Sequence, residues 1–285
     1  MTASVSVVVP TYGRPHHLAA AVESALSQTY PLTEIIVVDD ASPDDVRASL
    51  SRFDEAVTYI RQPRNMGANA ARNRGVSIAN GEFIAFLDDD DLWLPTKTEL
   101  QLEAMRRQGA EACLCGYQVM GSARRQVRGF NSLHAKDIRP MKRVAGFSSL
   151  VVRRSVIVEL GLDESLHNTQ DWDIYARLVQ RNPIAYVPRA LYHYRTGMHD
   201  GISSRARNAS LDEIEARTAT IRKHRSWMGE WRFRARLADI YLSYIRHRRN
   251  PWKFLHRSFA NAGIPATLMS LGRGVYSKMG RMSSD

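Results

Sequence analysis

Four consecutive aspartates, Asp88 to Asp91, are the most chemically suggestive stretch of the sequence. They follow the apolar run 83–87, whose composition predicts a buried strand. Adjacent like charges repel one another, so folding alone would not favour four carboxylates at the end of a strand. A bound cation would offset this repulsion, and carboxylate oxygens are the ligands that Mg²⁺, Mn²⁺ and Ca²⁺ prefer. Taken by itself, the run is equally compatible with a solvated acidic turn.

The chain before this run alternates between strand-like and helix-like stretches. Three short, β-branched segments predict strands: 5–10, 34–38 and 57–60. Between and after them, residues 17–28 and 67–79 show helical spacing or helix-compatible composition. This alternation predicts an α/β fold with a mainly parallel central sheet flanked by helices. In such sheets, ligands bind beyond the carboxyl ends of the strands.

Polar residues follow three of the predicted strands at the point where each strand ends. They are Thr11-Tyr12, Asp39-Asp40 and the run Asp88 to Asp91. We expect them to meet in one crevice, which favours a functional role for the aspartate run. Helix capping and turn formation is the alternative explanation for Asp39 and Asp40.

Other candidate residues lie outside these strand ends. Arg72, on the helix over 67–79, could meet a phosphate or carboxylate. Asp171 and Asp173 stand at the start of a predicted helix, where either could act as a general base or simply complement the helix dipole. The polar, Gly-containing segment 196–204 could be a loop that closes on a ligand.

Charge is distributed unevenly along the 285 residues. Residues 1–200 contain 23 Lys and Arg and 23 Asp and Glu, whereas residues 201–285 contain 17 and 6. The net charge of +11 therefore lies in the last 85 residues, which suggests a lipid surface, a nucleic acid or a phosphorylated acceptor as partner. An aromatic and aliphatic stripe at helical spacing in this region, including Trp231, Ala238 and Tyr241, predicts packed helices.

Composition sets further expectations. An apolar fraction of 44% suits a globular domain with an appendage. Cys113 and Cys115 would point the same way on one strand, so we expect reduced core thiols in a cytosolic chain. The sequence shows neither a secretion signal nor an apolar run long enough to span a membrane.

Five stretches together resemble the family 2 glycosyltransferases, which have the GT-A fold. They are 5–12, 35–42, 65–75, 81–91 and 170–173, and they occur in the family's order within residues 4–204. The resemblance implies a GT-A catalytic domain over 1–205, with a nucleotide-binding half (1–118) and an acceptor half (119–205). Residues 206–285 would form a C-terminal basic helical appendage.

The resemblance also implies which residues bind the donor. The nucleotide pocket would be lined by Pro10, Thr11, Tyr12 and Arg14. Asp40 would hydrogen-bond the base, expected to be uracil, and Asp39 would support the ribose or the loop. Arg72 would face the diphosphate or the sugar.

The aspartate run corresponds to the family's Asp-x-Asp motif. Asp90 would coordinate Mg²⁺ or Mn²⁺, and Asp88 would contact the ribose or the sugar. Asp89 would assist nucleotide binding from the turn, and Asp91 would cap the helix that follows. Arg195 would be a phosphate contact and His199 a metal contact.

On the acceptor side, Asp171 matches the catalytic base of the family's Glu-Asp motif. Gln170 replaces the usual Glu, and with Trp172 it would contact the acceptor or the sugar. These roles imply an inverting, metal-assisted direct displacement from a UDP-sugar to a hydroxyl of a glycan or lipid-linked acceptor in cell-envelope polysaccharide or lipopolysaccharide synthesis.

We expect the protein to be cytoplasmic and peripheral on the inner face of the cytoplasmic membrane. Residues 206–285 would contact the anionic lipid surface, and no nucleic acid is expected as a partner. The processive synthases of the family carry Gln-x-x-Arg-Trp and several membrane spans, and we find neither. Two alternatives remain open: a nucleotidyltransferase, and a non-catalytic anion or nucleic-acid binder that uses the basic tail.

Overall fold

The computed structural model describes residues 3–141, 144–196, 209–243, 245 and 250–282, with side chains up to residue 273. The chain divides into two compact units. Unit 1 comprises 1–138, 142–165 and 170–196, and unit 2 comprises 139–141, 166–169 and 197–285. The predicted domain boundary at residue 205 falls outside the described residues, so it stays a prediction.

Unit 1 is built on one ten-stranded, mainly parallel sheet. Its strands are β1 (Val5–Thr11), β2 (Glu34–Asp39), β3 (Val57–Arg61), β4 (Phe83–Phe86), β5 (Leu92–Trp93), β6 (Ala112–Val119), β7 (Arg125–Gln126), β8 (Ser132–Leu133), β9 (Val151–Arg153) and β10 (Ile184–Tyr194). The order across the sheet is β3-β2-β1-β4-β9-β6-β10-β5, with β7 beside β6 and β8 beside β10. β9 runs antiparallel between β4 and β6.

Six helices accompany this sheet in the described part of unit 1. They are α1 (Pro15–Leu26), α2 (Ala68–Ile78), α3 (Lys97–Gln108), α4 (Ala135–Ile138), α5 (Arg154–Leu160) and α6 (Gln170–Arg181). Two 3₁₀ turns, Arg47–Phe53 and Phe147–Ser149, complete the connections. The α/β architecture with a mainly parallel sheet is confirmed.

The register of the sheet brings the polar strand ends to one edge. Thr11 at the end of β1 pairs with Asp39 at the end of β2. On the other side of β1, the backbone N–H of Leu87 donates to the carbonyl of Val8, one residue before the aspartate run begins. Because these strands are parallel, their carboxyl ends open on the same side of the sheet.

Helix α2 lies unusually close to β1. A Cβ atom built on Gly75 would lie 2.4 Å from Cγ1 of Val8, closer than real side chains approach. Glycine at this position therefore permits the close contact between helix and strand. The contact fixes the height of α2 over the sheet, and with it the position of Arg72, which is buried on the same helix.

Unit 2 is helical. Its described helices are α7 (Leu211–Ala216), α8 (Ala219–Lys223), α9 (Arg225–Met228), α10 (Glu230–Leu242), α11 (Pro251–Ala262) and α12 (Ile264–Met282). The buried stripe of α10 runs through Phe233, Leu237 and Tyr241, at a spacing of four residues. Ala238 is also buried, but the expected place of Trp231 in the stripe is wrong, because its indole is exposed. No helix among the described residues is long and apolar enough to cross a membrane.

Lys97, at the start of α3, is buried without a hydrogen-bond partner for its amine. Its Nζ lies 4.0 Å from the ring centroid of Trp93, and the free thiols of Cys113 and Cys115 are buried on the neighbouring β6. Burial lowers the pKa of Lys97 from 10.5 to about 8. Burial also raises the pKa of both thiols, that of Cys115 to about 12, so neither supplies a thiolate partner near neutral pH.

We expect the variant Lys97→Met to unfold less readily than the wild type at pH 7. The unfolded chain holds the Lys97 proton more tightly than the folded one, so wild-type stability rises between about pH 8 and pH 10.5. At 1.36 kcal/mol for each unit of pKa, the penalty at pH 7 is about 3 kcal/mol. Urea unfolding from pH 7 to pH 10 checks this, since Lys97→Met should be more stable at pH 7 and show a flatter profile. An unchanged profile would show that the amine stays protonated in the folded state.

Candidate active site

The four aspartates differ in exposure. Asp89 and Asp91 are buried, whereas the side chains of Asp88 and Asp90 keep 28% and 22% of their accessible surface. The backbone N–H of Asp91 donates to the carbonyl of Asp88, which folds the run into a turn. The turn therefore presents alternate carboxylates, Asp88 and Asp90, to solvent at the edge of the sheet.

Arg14 and Thr11 hold the middle of the run. Nη1 of Arg14 lies 2.9 Å from Oδ1 of Asp89 and 3.0 Å from Oδ2 of Asp90. The hydroxyl of Thr11 donates to Oδ2 of Asp89 at 2.8 Å. Burial, followed by the charges of Asp88 and Asp89, raises the pKa of Asp90 to about 6 despite the nearby guanidinium. The carboxylates of the run therefore repel one another, and Arg14 offsets only part of this repulsion at Asp90.

Asp91 does not cap the helix that follows, so that prediction is wrong. The chain enters strand β5 directly after Asp91, and α3 begins only at Lys97, after Thr96. The Asp91 carboxylate instead accepts the hydroxyl of Ser148 at 2.6 Å and the backbone N–H of Arg195 at 3.0 Å. It therefore ties the run to two distant segments of the chain.

Arg72 joins the aspartate run to the start of α6. Its Nη2 donates to Oδ1 of Asp88 at 2.6 Å, and its Nη1 donates to Oε1 of Gln170 at 3.2 Å and to Oδ1 of Asn69 at 3.1 Å. The guanidinium lies 3.8 Å from the ring centroid of Phe147. This buried cation thus connects the residue before Asp171 with the first residue of the Asp-x-Asp motif.

The two aspartates at the start of α6 have different surroundings. Asp173 is buried and forms an ion pair with Arg177, with Oδ2 2.7 Å from Nη2. Asp171 is partly exposed, and its Oδ1 accepts the backbone N–H of Trp172 at 2.8 Å. Burial, and then the charges of Asp171 and Asp88, raise the pKa of Tyr175 well above its usual value. The carboxylates of Asp171 and Asp88 therefore both lie close enough to Tyr175 to affect its pKa.

Asp39 is buried within a set of internal donors. Its carboxylate accepts hydrogen bonds from Ser42, Tyr59 and Arg61, at 2.5, 2.7 and 2.6 Å. Burial raises the pKa of Asp39, but the hydrogen bonds from Ser42 and Tyr59 outweigh it and hold the pKa below its usual value. Asp39 thus fixes the loop after β2, while contact with the ribose stays a prediction.

The carboxylate of Asp40 also accepts hydrogen bonds from internal donors. Its Oδ1 accepts from Gln62 at 2.6 Å and from the backbone N–H of Met66 at 2.8 Å, and its Oδ2 accepts from the N–H of Gly67 at 2.7 Å. It anchors the segment that leads into α2. A carboxylate has about four acceptor positions, so one remains for a base, and that role stays a prediction.

The remaining predicted site residues have varied environments. Pro10 is buried at the end of β1, and Tyr12 is exposed just beyond it. The buried Trp172 donates its indole N–H to the carbonyl of Ile138 at 2.7 Å. Nε of Arg195 donates to the carbonyl of Asp90 at 3.0 Å. His199 lies outside the described residues. The ligand contacts assigned to these residues stay predictions.

The residues present at the run fit a divalent cation. Among the described residues no cluster of three or more His, Cys, Asp or Glu side chains could enclose a metal by itself. Mg²⁺ is, however, usually held by one or two carboxylates together with substrate phosphates and water. The partly exposed Asp90, with the charge of Asp88 close by, supplies such an incomplete set of oxygen ligands.

Several residues of the site carry no recognisable sequence signal. Ser148 contacts Asp91, 57 residues earlier in the chain, and Phe147 contacts Arg72, 75 residues earlier. Arg61, the last residue of β3, supports Asp39, and the next residue, Gln62, supports Asp40. Strand β9 follows the 147–149 turn and pairs with β4, and this pairing brings Phe147 and Ser148 to the site. Only this non-local pairing could have identified them.

Residues 6–149 match the sequence profile described as Glycosyl transferase family 2. This match covers half of the chain and includes the ends of β1, β2 and β4. The chain belongs to this family. The match ends within the 147–149 turn, so α6 with Asp171 lies beyond it.

Among curated relatives, the chain is 33% identical over 139 residues to a UDP-Glc:α-D-GlcNAc-diphosphoundecaprenol β-1,3-glucosyltransferase, WfgD, of Escherichia coli. The alignment covers 48% of this chain and 52% of that protein, so this member of the family matches only about half the length of its relative.

Solved structures support the fold. TarS 1–349 of S. aureus, in complex with UDP-GlcNAc, is similar with a TM-score of 0.68 at 18% identity, over 93% of this chain and 79% of that one. The mannosyltransferase PcManGT of Pyrobaculum calidifontis, in complex with GDP-Man and Mn²⁺, gives 0.62 at 17% identity, over 98% and 81%. The fold is GT-A.

Proposed function

We propose that this family 2 member is an inverting glycosyltransferase. It would transfer a sugar from a nucleotide diphosphate sugar, a UDP-sugar by preference, to a hydroxyl of a glycan or lipid-linked acceptor in cell-envelope polysaccharide synthesis. The observation that carries the proposal is the buried contact of Arg72 with both Asp88 and Gln170. It links the donor-binding motif to the residue beside Asp171, as a reaction between donor and acceptor requires.

The donor side would be held by the strand ends. Asp90 would hold Mg²⁺ or Mn²⁺, which when bound neutralises charge on the departing diphosphate as a Lewis acid, and Asp88 would contact the ribose or the sugar. Arg72 would face the diphosphate or sugar, and Arg195 is proposed as a further phosphate contact because its side chain already lies at the carbonyl of Asp90. Tyr12, exposed beyond β1, is placed to offer its ring to the nucleotide.

Asp171 is proposed as the general base. Its carboxylate would accept the proton of the acceptor hydroxyl while that oxygen bonds to the anomeric carbon. The bond from this carbon to the diphosphate oxygen breaks, and the nucleoside diphosphate leaves with the electron pair. Attack from the opposite face inverts the anomeric centre. Asp173 is the weaker candidate because it is buried in an ion pair with Arg177.

A donor screen tests the proposal directly. Thermal unfolding is measured with Mn²⁺ and with UDP-, dTDP- and GDP-sugars, since a ligand that binds the native state raises its apparent stability. We expect a UDP-sugar with Mn²⁺ to give the largest shift, and the same sugar to transfer to a polyprenyl-diphosphate-linked acceptor. Absence of a shift with every nucleotide sugar would refute the donor assignment. The nucleotidyltransferase alternative predicts transfer of a nucleotidyl group instead.

A lipid-linked acceptor would require the protein to work at a membrane surface, and we propose that unit 2 binds the inner face of the cytoplasmic membrane. Trp252, Ile264 and Leu268 are 74%, 63% and 56% exposed. Exposed cations, among them Lys253 and Arg257, lie on α11 together with Trp252. Aromatic and aliphatic side chains beside cations are typical of helices that lie in an anionic lipid interface.

We expect Trp252→Ala combined with Leu268→Ala to lower binding to vesicles containing phosphatidylglycerol by about thirtyfold, because roughly 2 kcal/mol of apolar burial is lost. Sedimentation with these vesicles provides the measurement. Val158→Ala, which removes a similarly exposed apolar side chain from unit 1, should sediment like the wild type. Equal sedimentation of all three proteins would contradict the membrane proposal.

A further inference from the structure

Three consecutive residues, Gly146, Phe147 and Ser148, contact the aspartate run, Arg72 and helix α6. They lie just before β9, outside all the predicted motifs. Phe147 and Ser148 are buried, and Gly146 is partly exposed. We refer to them as the 146–148 segment.

Ser148 holds both ends of the aspartate run. Its hydroxyl donates to Oδ2 of Asp91 at 2.6 Å and accepts the backbone N–H of Asp88 at 3.0 Å. Its carbonyl accepts the indole N–H of Trp93 at 2.9 Å. One hydroxyl thus closes the turn that presents Asp88 and Asp90, and the Trp93 contact fixes the residue that carries it.

The ring of Phe147 supports Arg72, the residue that connects the donor and acceptor sides of the proposed site. Its ring lies 3.8 Å below the guanidinium of Arg72 and packs edge-on against Phe86, the last residue of β4, at 5.5 Å between centroids. A cation over an aromatic face is attracted by the ring, more strongly when both are buried. The ring therefore helps to hold Arg72 toward Asp88.

Gly146 connects the segment to α6. Its carbonyl accepts the hydroxyl of Tyr175 at 2.7 Å, and its N–H donates to the hydroxyl of Tyr192 at 3.0 Å. Tyr175 lies one helical turn after Asp171 on the same helix. A hydrogen bond at this point fixes the rotation of α6, and with it the direction in which Asp171 points.

We propose that the 146–148 segment is a positioning element that sets the metal-binding turn and the base-bearing helix relative to each other. Ser148 acts on the turn through Asp88 and Asp91, and Gly146 acts on α6 through Tyr175. Neither residue touches the reacting atoms. The inference rests on the proposed function. It predicts that a substitution that breaks the contact with the turn leaves the contact with α6 intact, and the reverse.

Ser148→Ala should weaken Mn²⁺ binding in the absence of donor. Removing groups that orient metal ligands typically costs 10- to 100-fold in affinity, and Ser148 closes the turn that carries Asp90, so we expect the Mn²⁺ dissociation constant to rise about tenfold. Electron paramagnetic resonance of free Mn²⁺ measures it without any turnover. Ser148→Thr, which keeps the hydroxyl, should restore much of the affinity.

Ser149→Ala is the matched control. Ser149 is equally buried in the same turn, but its hydroxyl lies beside Tyr175 and forms no hydrogen bond with the aspartate run. It should bind Mn²⁺ within about twofold of the wild type, inside the range expected when no charged partner is lost. If Ser148→Ala and Ser149→Ala have equal Mn²⁺ affinities, the positioning role of Ser148 is wrong.

Tyr175→Phe tests the second connection. It removes only the hydroxyl that reaches Gly146, so Mn²⁺ affinity and the KM for the donor should stay near wild type while kcat falls by about tenfold. A fall in Mn²⁺ affinity with unchanged kcat would overturn the separation. A wild type that binds neither Mn²⁺ nor a nucleotide sugar would refute the proposed function itself.

Discussion

Replacement of Asp171 by Asn is expected to lower kcat for sugar transfer about a thousandfold while leaving the dissociation constant of the UDP-sugar within about twofold. A positioned general base contributes 10²- to 10⁴-fold, and an amide of the same shape cannot accept the hydroxyl proton. Asn keeps the carbonyl oxygen that receives the N–H of Trp172, so the start of α6 should fold normally. Single-turnover transfer and isothermal titration with the donor separate the two quantities.

Asp173→Asn is the matched control for this prediction, because both acids lie in the first turn of α6. Its loss leaves Arg177 without its buried ion-pair partner, which costs about 3 kcal/mol of folding free energy. We expect a lower melting temperature but a kcat near wild type at temperatures where the variant is folded. Transfer by Asp171→Asn at the wild-type rate, or loss of kcat only in Asp173→Asn, would reverse the assignment of the base.

Local patterns predicted the fold because the site lies at the ends of strands that are short, apolar and close in sequence. The strands over 5–10, 34–38 and 57–60 needed only composition and length to be identified. Their parallel pairing then required the polar residues that follow to share one edge, as Thr11 and Asp39 do. This part of the site follows from sequence because its geometry is repeated from strand to strand.

The supporting contacts could not be predicted because they depend on pairings between distant parts of the chain. Asp91 was expected to cap a helix, since an acid before a helical pattern is a common cap. Strand β5 intervenes instead, and the carboxylate is used by Ser148, 57 residues later. The stripe expected to include Trp231 failed for a related reason: spacing identifies a helical face but not which of two apolar faces is buried.

The surroundings also separate residues that the motif alone treats as equivalent. Asp39 and Asp40 follow one strand, yet each is occupied by a different set of internal donors, and both hold loops of the crevice in place. Asp88 and Asp90 retain exposed surface. The capacity to receive a ligand therefore lies mainly with the aspartate run, and this makes the run the most informative place for substitution.

Asp90→Asn is expected to raise the dissociation constant of Mn²⁺ about a hundredfold and to abolish metal-dependent transfer. A hard dication strongly prefers charged carboxylate oxygens, and Asn supplies one neutral oxygen in their place. Arg14 would keep its contact with Asp89, so we expect the fold to persist with little change in melting temperature. Electron paramagnetic resonance of free Mn²⁺ gives the affinity, and a radiolabelled UDP-sugar assay gives the transfer.

Asp88→Asn is the companion variant, because this carboxylate is already paired with Arg72 and is assigned to the ribose or sugar. It should keep Mn²⁺ binding within a few-fold but raise the KM for the donor by about tenfold, the cost of one charge-assisted hydrogen bond. Asp90→Asn should therefore weaken Mn²⁺ binding more than Asp88→Asn does. If Asp88→Asn loses more Mn²⁺ affinity than Asp90→Asn, then Asp88 holds the metal. In that case Arg72 must release Asp88 when Mn²⁺ binds.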